Sequence, residues 1–458
     1  MTIHEILNTE GREQSQIIED LKQKTVSVPS WGELVTEYDP KKHPVFTDRD
    51  YTRRGKNGKP AKVTQIGLGW QKLAVKRMGE LAFGIPVKRL YTTESEEEKR
   101  AAAIIEAVYQ KNRINSVNIS RSRQLYASCE IATIWFVQPD TPTQYAGEKC
   151  NGKVRCKTFS PMNGDALYPL FDEYDDMIAL SIEYKREENN ENITYFETYT
   201  ADRHLRWRES EIELDEAVGT GKISGVYFMR PEPIWEDQSN SVYEAEWTIS
   251  RNGNYIRKNA RPNVAIYSNK QVAMGKDNDN KGLSVYRLPK DAKMEYVVWQ
   301  QATDSIKFQV ETIKQLFFMQ LQLPDMSMES MKATPMSGEA RKMMFIDSQL
   351  KVTDEQGIWL EGFDREFNVI RALCKFLYES IASAFDAIQC EHVITPFNLN
   401  DTGDKIKNLT AATGGKAIMS QRTAIKELDM VEDIDEEMQA IADEETSDIM
   451  GQMSEQFA

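Results

Sequence analysis

The sequence lacks several features that would assign it to a common protein class. Its five cysteines are odd in number and form no C-x-x-C pair, which excludes a regular disulfide framework and favours buried or idle thiols. No apolar run reaches about eighteen residues, so no membrane-spanning helix is predicted. The N-terminus MTIHEILNTEGREQ lacks the basic and apolar regions of a signal peptide, and synthesis in a cytoplasm is expected.

Motifs for nucleotide hydrolysis and for metal catalysis are also missing. A GxxxxGK[ST] phosphate loop needs a first glycine and a hydroxyl residue after the lysine. The Gly-Lys pairs at 221–222 and 415–416 have Glu216 and Thr410 at the first position and no hydroxyl residue after the lysine. No HExxH sequence occurs and the four histidines are dispersed, so no metal cluster is predicted. No catalytic, cofactor-binding or metal-ligating residue is assigned.

Acidic residues, by contrast, are abundant, with 72 Asp and Glu against 57 Lys and Arg. This excess is typical of a solvated surface, although a pair of acids acting on nucleic acid or saccharide stays open as an alternative. The net charge of −15 argues against a protein that grips nucleic acid tightly, because phosphate binding needs clustered Lys and Arg.

The charge is unevenly distributed along the chain. Residues 53–90 contain ten basic residues and one acidic residue, whereas residues 427–458 contain twelve acidic residues and no basic one. Two surfaces with different partners, or two solvated faces of opposite sign, both explain this asymmetry.

The most strongly patterned stretch of the chain is 296–346. Apolar residues recur there at steps of three or four, which predicts a helix of about seven turns with one apolar stripe. The stripe consists of Val298, Ala302, Ile306, Val310, Ile313, Phe317 and Leu321. The opposite face is predicted to be polar, with Asp304, Lys307, Glu311 and Lys314.

A loop and a second helix follow the patterned stretch. Pro324 ends the apolar pattern, and residues 325–337 are rich in Met and Ser and have no periodicity, which predicts a mobile loop with Lys332 as its single basic residue. Ser337 fits the N-cap of a second, longer helix, with Glu339 favoured in its first turn. On pattern alone, an ordinary helical hairpin in a globular core is the favoured interpretation of this unit.

The preceding chain indicates an α+β fold. Residues 1–62 begin with a short amphipathic helix and continue as a polar arm with turns. Helices are predicted over 64–83, 94–112 and 117–129. The alternating and β-branched runs predict a meander of about five strands, over 131–137, 153–159, 177–185, 193–200 and 204–208.

The later part of the chain is predicted to be mostly helical. Residues 209–222 form an acidic, glycine-rich linker, and a strand beginning at Gly225 leads into a helix over 235–260. A small β-rich insertion separates this helix from the patterned one. Apolar residues from Phe363 to Phe385 again step by three or four, which makes Cys374 a core residue and not a nucleophile.

Several short motifs resemble those of portal proteins of tailed bacteriophages. The run Ser337-Gly338-Glu339-Ala340-Arg341-Lys342 is similar to their SG-x-A-x-K segment, and Gly84-Ile85-Pro86-Val87 to their G-x-P-[IV] motif. The C-terminal Ser420 and Thr423, followed by Asp435-Glu436-Glu437, resemble their closing pattern. The S-x-x-x-N-D sequence of the family's first stem helix is missing, which leaves the start of that helix uncertain.

This resemblance, over about residues 60–445, implies a portal-like organisation. Expected are a β-rich wing at 1–234, a first stem helix at 235–260, a clip at 261–296, a second stem helix at 297–323, a tunnel loop at 324–337, a long wing helix and return at 338–402, and an acidic helical crown at 403–458. The tunnel loop would contact DNA through Met326, Ser327, Met328, Glu329, Ser330, Met331 and Lys332. The polar face of the second stem helix would line a bore, and its apolar stripe would pack subunits together.

The resemblance also implies the partners of the chain. The expected assembly is a homo-oligomeric ring of about twelve subunits at one capsid vertex. Double-stranded DNA would pass through this ring, which would meet the terminase large subunit, the major capsid and scaffold proteins, and a head-tail adaptor. No cofactor, no membrane and no enzymatic activity are expected.

Two other function classes stay open. A carboxylate-dependent hydrolase would show turnover that depends on a divalent metal. Another virion head-tail protein, such as an adaptor or scaffold, would share the ring symmetry but should be much shorter or show long heptad repeats.

Overall fold

The structure, a computed structural model, describes residues 3–8, 12–47, 63–259, 263–267, 293–297, 303–324, 343, 345–397, 402–414, 417–428, 431 and 434–443. The chain divides into two compact units. The first comprises Met1–Asp325 and Asp347–Phe397, and the second comprises Met326–Ile346 and Asn398–Ala458. Among the described helices, none is long and apolar enough to cross a membrane.

The first unit mixes helices and strands, as the α+β prediction requires. Its helices are α1 (Ile3–Asn8), α2 (Gln14–Leu21), α3 (Trp31–Tyr38), α4 (Pro44–Thr47), α5 (Trp70–Phe83), α6 (Glu96–Lys111), α7 (Ile114–Ser128), α8 (Ser239–Asn259), α9 (Thr303–Gln320), α10 (Ile346–Leu377) and α11 (Ala382–Ala387). The first residue of α10, Ile346, is assigned to the second unit. Its strands are β1 (Lys88–Thr92), β2 (Glu130–Tyr145), β3 (Glu148–Phe159), β4 (Ala166–Phe171), β5 (Met177–Glu188), β6 (Glu191–Tyr199), β7 (Arg203–Arg208), β8 (Glu211–Ala217), β9 (Gly225–Met229), β10 (Asn263–Tyr267), β11 (Lys293–Val297) and β12 (Gln389–Val393).

The strands of the predicted meander belong to two sheets, and the prediction of a single meander is wrong. A three-stranded sheet has the order β3-β2-β9, and a five-stranded sheet has the order β4-β5-β6-β7-β8. All neighbouring strands in both sheets are antiparallel. The chain leaves the first sheet after β3 and returns to it only at β9, which pairs with the start of β2.

Two strands of the second sheet lie where turns or a linker are predicted. Pro169 weakens the strand pattern of β4, but β4 is an edge strand, where a missing backbone N–H costs no ladder bond. The hydroxyl of Thr25 donates to Pro169 O and accepts from Phe171 N (3.1 Å), so residue 25 covers this edge. The acidic composition of β8 predicts a linker, yet Arg203 pairs with Asp215 across the strands (2.6 Å).

Helix boundaries differ from prediction mainly at N-termini. Helix α5 begins at Trp70 and not at residue 64, because residues 63–69 are extended along another helix. Helix α8 begins at Ser239, four residues after the predicted start. The arm over 1–62 contains three helices after α1 within its described part, where one short helix and turns are predicted.

The interior of the first unit is organised around α10. The Glu366 carboxylate on this helix accepts hydrogen bonds from both terminal nitrogens of Arg121 on α7, one of them 2.8 Å long. It also accepts a hydrogen bond of 3.1 Å from the indole N–H of Trp135 on β2. Both members of the ion pair are buried. The Arg121 guanidinium also lies over the Phe228 and Phe363 rings, at 5.2 and 5.3 Å. This buried pair holds α7, β2 and α10 together.

Gly362 and Cys374 of α10 have packing roles. A Cβ at Gly362 would lie 1.9 Å from Phe228 Cε1, so this glycine allows close approach and does not break the helix. Cys374 is buried, as predicted for a core residue, and burial raises the pKa of its thiol. Cys150 and Cys156 lie on the single strand β3 and not on opposite sides of a hairpin.

The second unit is helical in its described part. It contains α12 (Thr402–Thr413), α13 (Gln421–Leu428) and a helix over 434–443. Ser420 caps the start of α13, because its Oγ accepts from Thr423 N (3.2 Å). Arg422 pairs with Asp435 at 2.8 Å, a bond that links α13 to the acidic helix after it.

Candidate assembly and channel surface

Helices α8 and α9 pack against each other on the first unit and correspond to the two predicted stem helices. Across the pair, Gln309 Nε2 donates to Glu244 Oε1 (3.3 Å). The paired strands β10 and β11 lie between them in the sequence, within the predicted clip. Strand β11 extends to Val297, inside the range predicted for the second stem helix, and the described part of α9 is Thr303–Gln320.

The predicted apolar stripe occupies the inward face of α9, with burial that increases toward the C-terminus. Ile306, Val310 and Ile313 are partly buried, whereas Phe317 and Leu321 are buried. Phe317 packs on Trp70 of the same chain, with ring centroids 5.5 Å apart. Val298 and Ala302 lie outside the described residues. The C-terminal half of the stripe therefore packs within its own subunit.

The predicted polar face of α9 is exposed over most of its length. Asp304, Lys307 and Glu311 are exposed, and Lys314 is partly buried. Lys307 Nζ lies 3.7 Å from Glu311 Oε1, one helical turn away. Such exposed pairs contribute little stability, which leaves this face free to meet water or another charged surface.

A third face of α9 is exposed and apolar, and the sequence analysis missed it. Phe308 is 72 % exposed and Met319 is 66 % exposed, with Leu316 exposed as well. At about 100° per residue these side chains lie within roughly 80° of one another, on the side of the helix opposite the inward stripe and next to the polar face. Exposed apolar side chains grouped on one side of a helix favour an interaction site.

The C-terminal end of α9 is tightly anchored. Arg77 on α5 donates to Pro324 O (2.8 Å), and its guanidinium lies 4.5 Å from the centre of the Phe318 ring. Ser348 Oγ donates to Gln322 O (2.8 Å), and Gln322 adopts a left-handed conformation with φ of 55°. The chain therefore enters the predicted tunnel loop from a fixed position.

Helix α8 is anchored by an extended segment, residues 63–69. The backbone N–H groups of Thr64, Ile66 and Leu68 donate to side chains of α8, at 2.7, 2.9 and 2.6 Å. Their acceptors are, respectively, Asn254, Ser250 and Glu246, which are spaced four residues apart.

Helical and extended geometries match along this contact. Two extended residues span about 6.6 Å and four helical residues about 6.0 Å, so every second amide meets every fourth side chain. The buried Glu246 also contacts His43 Nδ1 (2.6 Å), and the other ring nitrogen of His43 contacts Glu37 O (2.7 Å). The α8 helix is thus held on one face over about two turns.

Of the remaining predicted residues, only some lie within the described part of the chain. The tunnel-loop residues Met326 to Lys332, and the cap Ser337, lie outside the described residues. The basic residues of 53–90 that the structure describes are dispersed. Arg77 is buried, Arg89 pairs with Glu106 (2.7 Å) and Lys72 pairs with Asp39 (3.2 Å). Among the described residues, no group of three or more His, Cys, Asp or Glu could hold a metal ion.

Comparisons with known proteins agree with the resemblance drawn from the motifs. The model of the family described as "Phage portal protein, SPP1 Gp6-like" matches residues 29–450. A comparison with curated proteins gives no match.

Solved structures with a similar fold come from gene transfer agent particles. A chain of "Virion of native gene transfer agent (GTA) particle" is 10 % identical, with a TM-score of 0.40, and the match covers 90 % of this chain and 97 % of that one. A chain of "Neck of empty GTA particle computed with C6 symmetry" is 9 % identical, with a TM-score of 0.42, and the match covers 88 % and 94 %.

Proposed function

The chain belongs to the SPP1 Gp6-like family of phage portal proteins, and we propose that about twelve copies form a ring through which double-stranded DNA is packaged and later released. Its function is that of a portal at the capsid vertex. The protein is structural in this role.

The observation that carries the ring proposal is the division of α9 into three faces. The inward face packs on its own subunit, the polar face carries Asp304, Lys307 and Glu311, and the third face exposes Phe308 and Met319. In a ring, each helix contacts its own subunit through one face, and its remaining faces meet a neighbouring subunit and the bore. A closed ring is the usual solution for head-to-tail contacts of this kind.

The charge of the chain fits passage of DNA without tight binding. Many copies with a net charge of −15 would repel phosphate around the bore, whereas clustered basic residues would retard the DNA. The exposed face of α9 carries both signs, through Asp304, Lys307 and Glu311. We assign this face to the bore and the face of Phe308 and Met319 to the neighbouring subunit.

The predicted domain roles follow the observed elements. The two sheets with α5–α7, α10 and α11 would form the wing, α8 and α9 the stem, β10 and β11 the clip, and α12, α13 and the helix over 434–443 the crown. The loop after Pro324 would contact DNA through Met326 to Lys332. The crown and clip would meet the terminase large subunit, capsid and scaffold proteins, and a head-tail adaptor.

The neighbour contact is tested by placing a charge on the exposed apolar face. Phe308→Glu should abolish ring formation, because a buried, unpaired carboxylate is strongly unfavourable at an interface. Lys307→Glu, at the adjacent position on the polar face, is the matched control and should leave the ring intact. Negative-stain electron microscopy and light scattering report both results. A normal ring in Phe308→Glu, or loss of the ring in Lys307→Glu alone, would contradict the assignment of faces.

The role of the loop is tested separately. Deletion of residues 327–333 should leave ring assembly intact and impair DNA packaging, since the deleted residues are assigned to the bore and not to the stem contact. Packaging is measured as DNA protected from nuclease in particles assembled with the variant. Normal packaging by the deletion variant would refute a role of this loop in translocation.

A further inference from the structure

A cavity of about 500 Å³ opens on the first unit, away from α8 and α9. Strands β2 and β3 form one side, strands β5 to β8 form the base and the other side, and the end of α10 contributes Leu373 and Phe376. The described residues give this groove no occupant, and portal function does not account for it.

The base of the groove is a rigid hydrogen-bond network around Glu197. Tyr184 Oη donates to Glu197 Oε1 (2.6 Å), Arg206 Nε donates to the same oxygen (2.8 Å), and Tyr199 donates to Oε2. His204 lies 3.2 Å from Oε2 and stacks on the Tyr199 ring, with centroids 4.4 Å apart. Both oxygens of the Glu197 carboxylate are hydrogen-bonded. Glu197 therefore fixes the shape of the groove, and the other charged groups of the groove stay available to a ligand.

Lys157 in the groove makes no direct ion pair among the described residues, although the charges of Glu197 and Asp165 act on it. Its Nζ lies 4.3 Å from the centre of the Phe159 ring and 4.4 Å from that of Tyr184. Within the part of the chain that the structure describes, no carboxylate or hydrogen-bond acceptor contacts it. Arg186, whose nearest carboxylate contact is 3.9 Å long, lies beside it. The ring contacts hold the Lys157 ammonium in place without neutralising it.

The rim of the groove is apolar and aromatic. Phe376 on α10 is 61 % exposed, and Phe136 on β2 is exposed as well. Two exposed aromatic rings beside a fixed, unpaired cation form a surface on which an apolar side chain and a carboxylate can bind together. A DNA duplex would use the cations but not the rings, because its bases are stacked inside, so the groove favours a protein segment over duplex DNA.

We propose that this groove binds an extended segment of a partner protein in which acidic side chains alternate with aromatic ones. A carboxylate of the segment pairs with Lys157, and an aromatic side chain packs between Phe136 and Phe376. The complementarity of charge supports this partner, as do the concave form and the two exposed rings. The contact provides the vertex with an attachment site separate from the stem.

A labelled peptide tests the proposal on the full-length protein. The probe is a fluorescein-labelled DDFFDDFF peptide, which places an acid and an aromatic ring on each side of an extended chain. Fluorescence anisotropy should show saturable binding. Lys157→Glu should weaken it by at least about tenfold, because an attractive charge pair becomes a repulsive one. Phe376→Ala should weaken it by about threefold through lost aromatic contact.

Matched controls separate the groove from general charge effects. Lys149→Glu makes the same charge change on the exposed end of β3, outside the groove, and should leave binding unchanged. The peptides KKFFKKFF and DDSSDDSS should bind at least about tenfold more weakly than the probe, since each lacks one of the two required groups. Equal loss in Lys149→Glu and Lys157→Glu, or equal binding of all three peptides, would overturn the proposal.

Two further outcomes would also overturn it. Binding of duplex DNA that is lost in Lys157→Glu, without binding of the acidic peptide, would assign the groove to nucleic acid. Peptide binding by the unassembled subunit that disappears in the ring would show that a neighbouring copy covers the groove.

Discussion

Helix α10 buries one long face within its own chain, whereas helix α9 leaves two of its three faces uncovered. Glu366 of α10 is buried and bonded to Arg121 and Trp135. Phe308 of α9 is 72 % exposed and has no such enclosure. The difference separates residues that stabilise the subunit from residues that are available for association. Changes at buried positions of α10 should therefore lower stability, and changes on the exposed faces of α9 should alter assembly alone.

The largest effect on stability is expected from Glu366→Ala. The substitution leaves the Arg121 guanidinium buried without a counter-ion, which should lower the free energy of unfolding by about 3 to 5 kcal/mol. Urea denaturation of the unassembled subunit, followed by tryptophan fluorescence, measures this loss. Glu361→Ala on the same helix removes only an exposed pair with Arg365 and should cost less than about 1 kcal/mol. Equal losses in the two variants would show that the buried pair has no special role.

The next largest effect is the pH dependence of stability that arises from the hydrogen bonds around Glu197. Burial alone would raise the pKa of Glu197, but hydrogen bonds from His204, Tyr184 and Tyr199 and the charge of Arg206 lower the pKa to about 2. Because the folded-state pKa lies below the unfolded one, this carboxylate stabilises the fold above about pH 4.5 and loses that contribution as pH falls toward 2.

Comparison with Glu197→Gln isolates this contribution. The depressed pKa corresponds to about 3 kcal/mol at neutral pH. The stability difference between the native protein and Glu197→Gln should be largest near neutral pH and should shrink between pH 4.5 and 2, as urea denaturation at several pH values would record. A difference that stays constant across this range would contradict the assigned cause.

Alanine substitutions at two glycines of α10 should have smaller effects on stability, and these effects should be opposite in sign. Gly362→Ala should lower the free energy of unfolding by about 1 to 3 kcal/mol, because its Cβ would overlap the Phe228 ring. Gly357→Ala meets nothing within 4 Å and should raise stability by up to about 1 kcal/mol through helix propensity. Thermal denaturation distinguishes the signs. Destabilisation by both would show that Gly357 has a packing role.

The smallest effect is expected at the extended segment on α8. Ser250→Ala removes the acceptor of the Ile66 N–H and should cost about 1 kcal/mol. Hydrogen exchange should accelerate at residues 64–68 and remain unchanged in α5, whose backbone bonds do not depend on Ser250. Faster exchange throughout α5 as well would indicate that the segment is part of one cooperative unit with that helix.

Much of the fold could be predicted from local patterns in the sequence. The β-branched run at 131–137 and the alternation at 177–185 predict strands that the structure contains. Helices α6 and α7 lie within a few residues of their predicted positions. The division into two sheets could not be predicted, since it depends on which distant strand pairs with β2. The strands β4 and β8 were not predicted, because Pro169 interrupts the pattern of the first and acidic side chains dominate the second.

The helical faces of α9 were predictable in part, whereas the roles assigned to these faces stay predictions. Ile313 and Phe317 identify the inward stripe of α9, and Lys307 and Glu311 its polar face. The exposed apolar face was missed because Phe308 and Met319 are eleven positions apart and the polar residues Asp304 and Glu311 lie nearby on the helix. The segment on α8 was missed for another reason. Its bonds join backbone N–H groups to side chains almost two hundred positions away, which leave no local pattern.

The native mass of the purified protein, measured by light scattering with electron microscopy of the same sample, tests the central claim most directly. The account predicts a ring with a central hole and a mass near twelve times 52.6 kDa, formed alone or with a scaffold or crowding agent. A protein that stays monomeric under all of these conditions would contradict it.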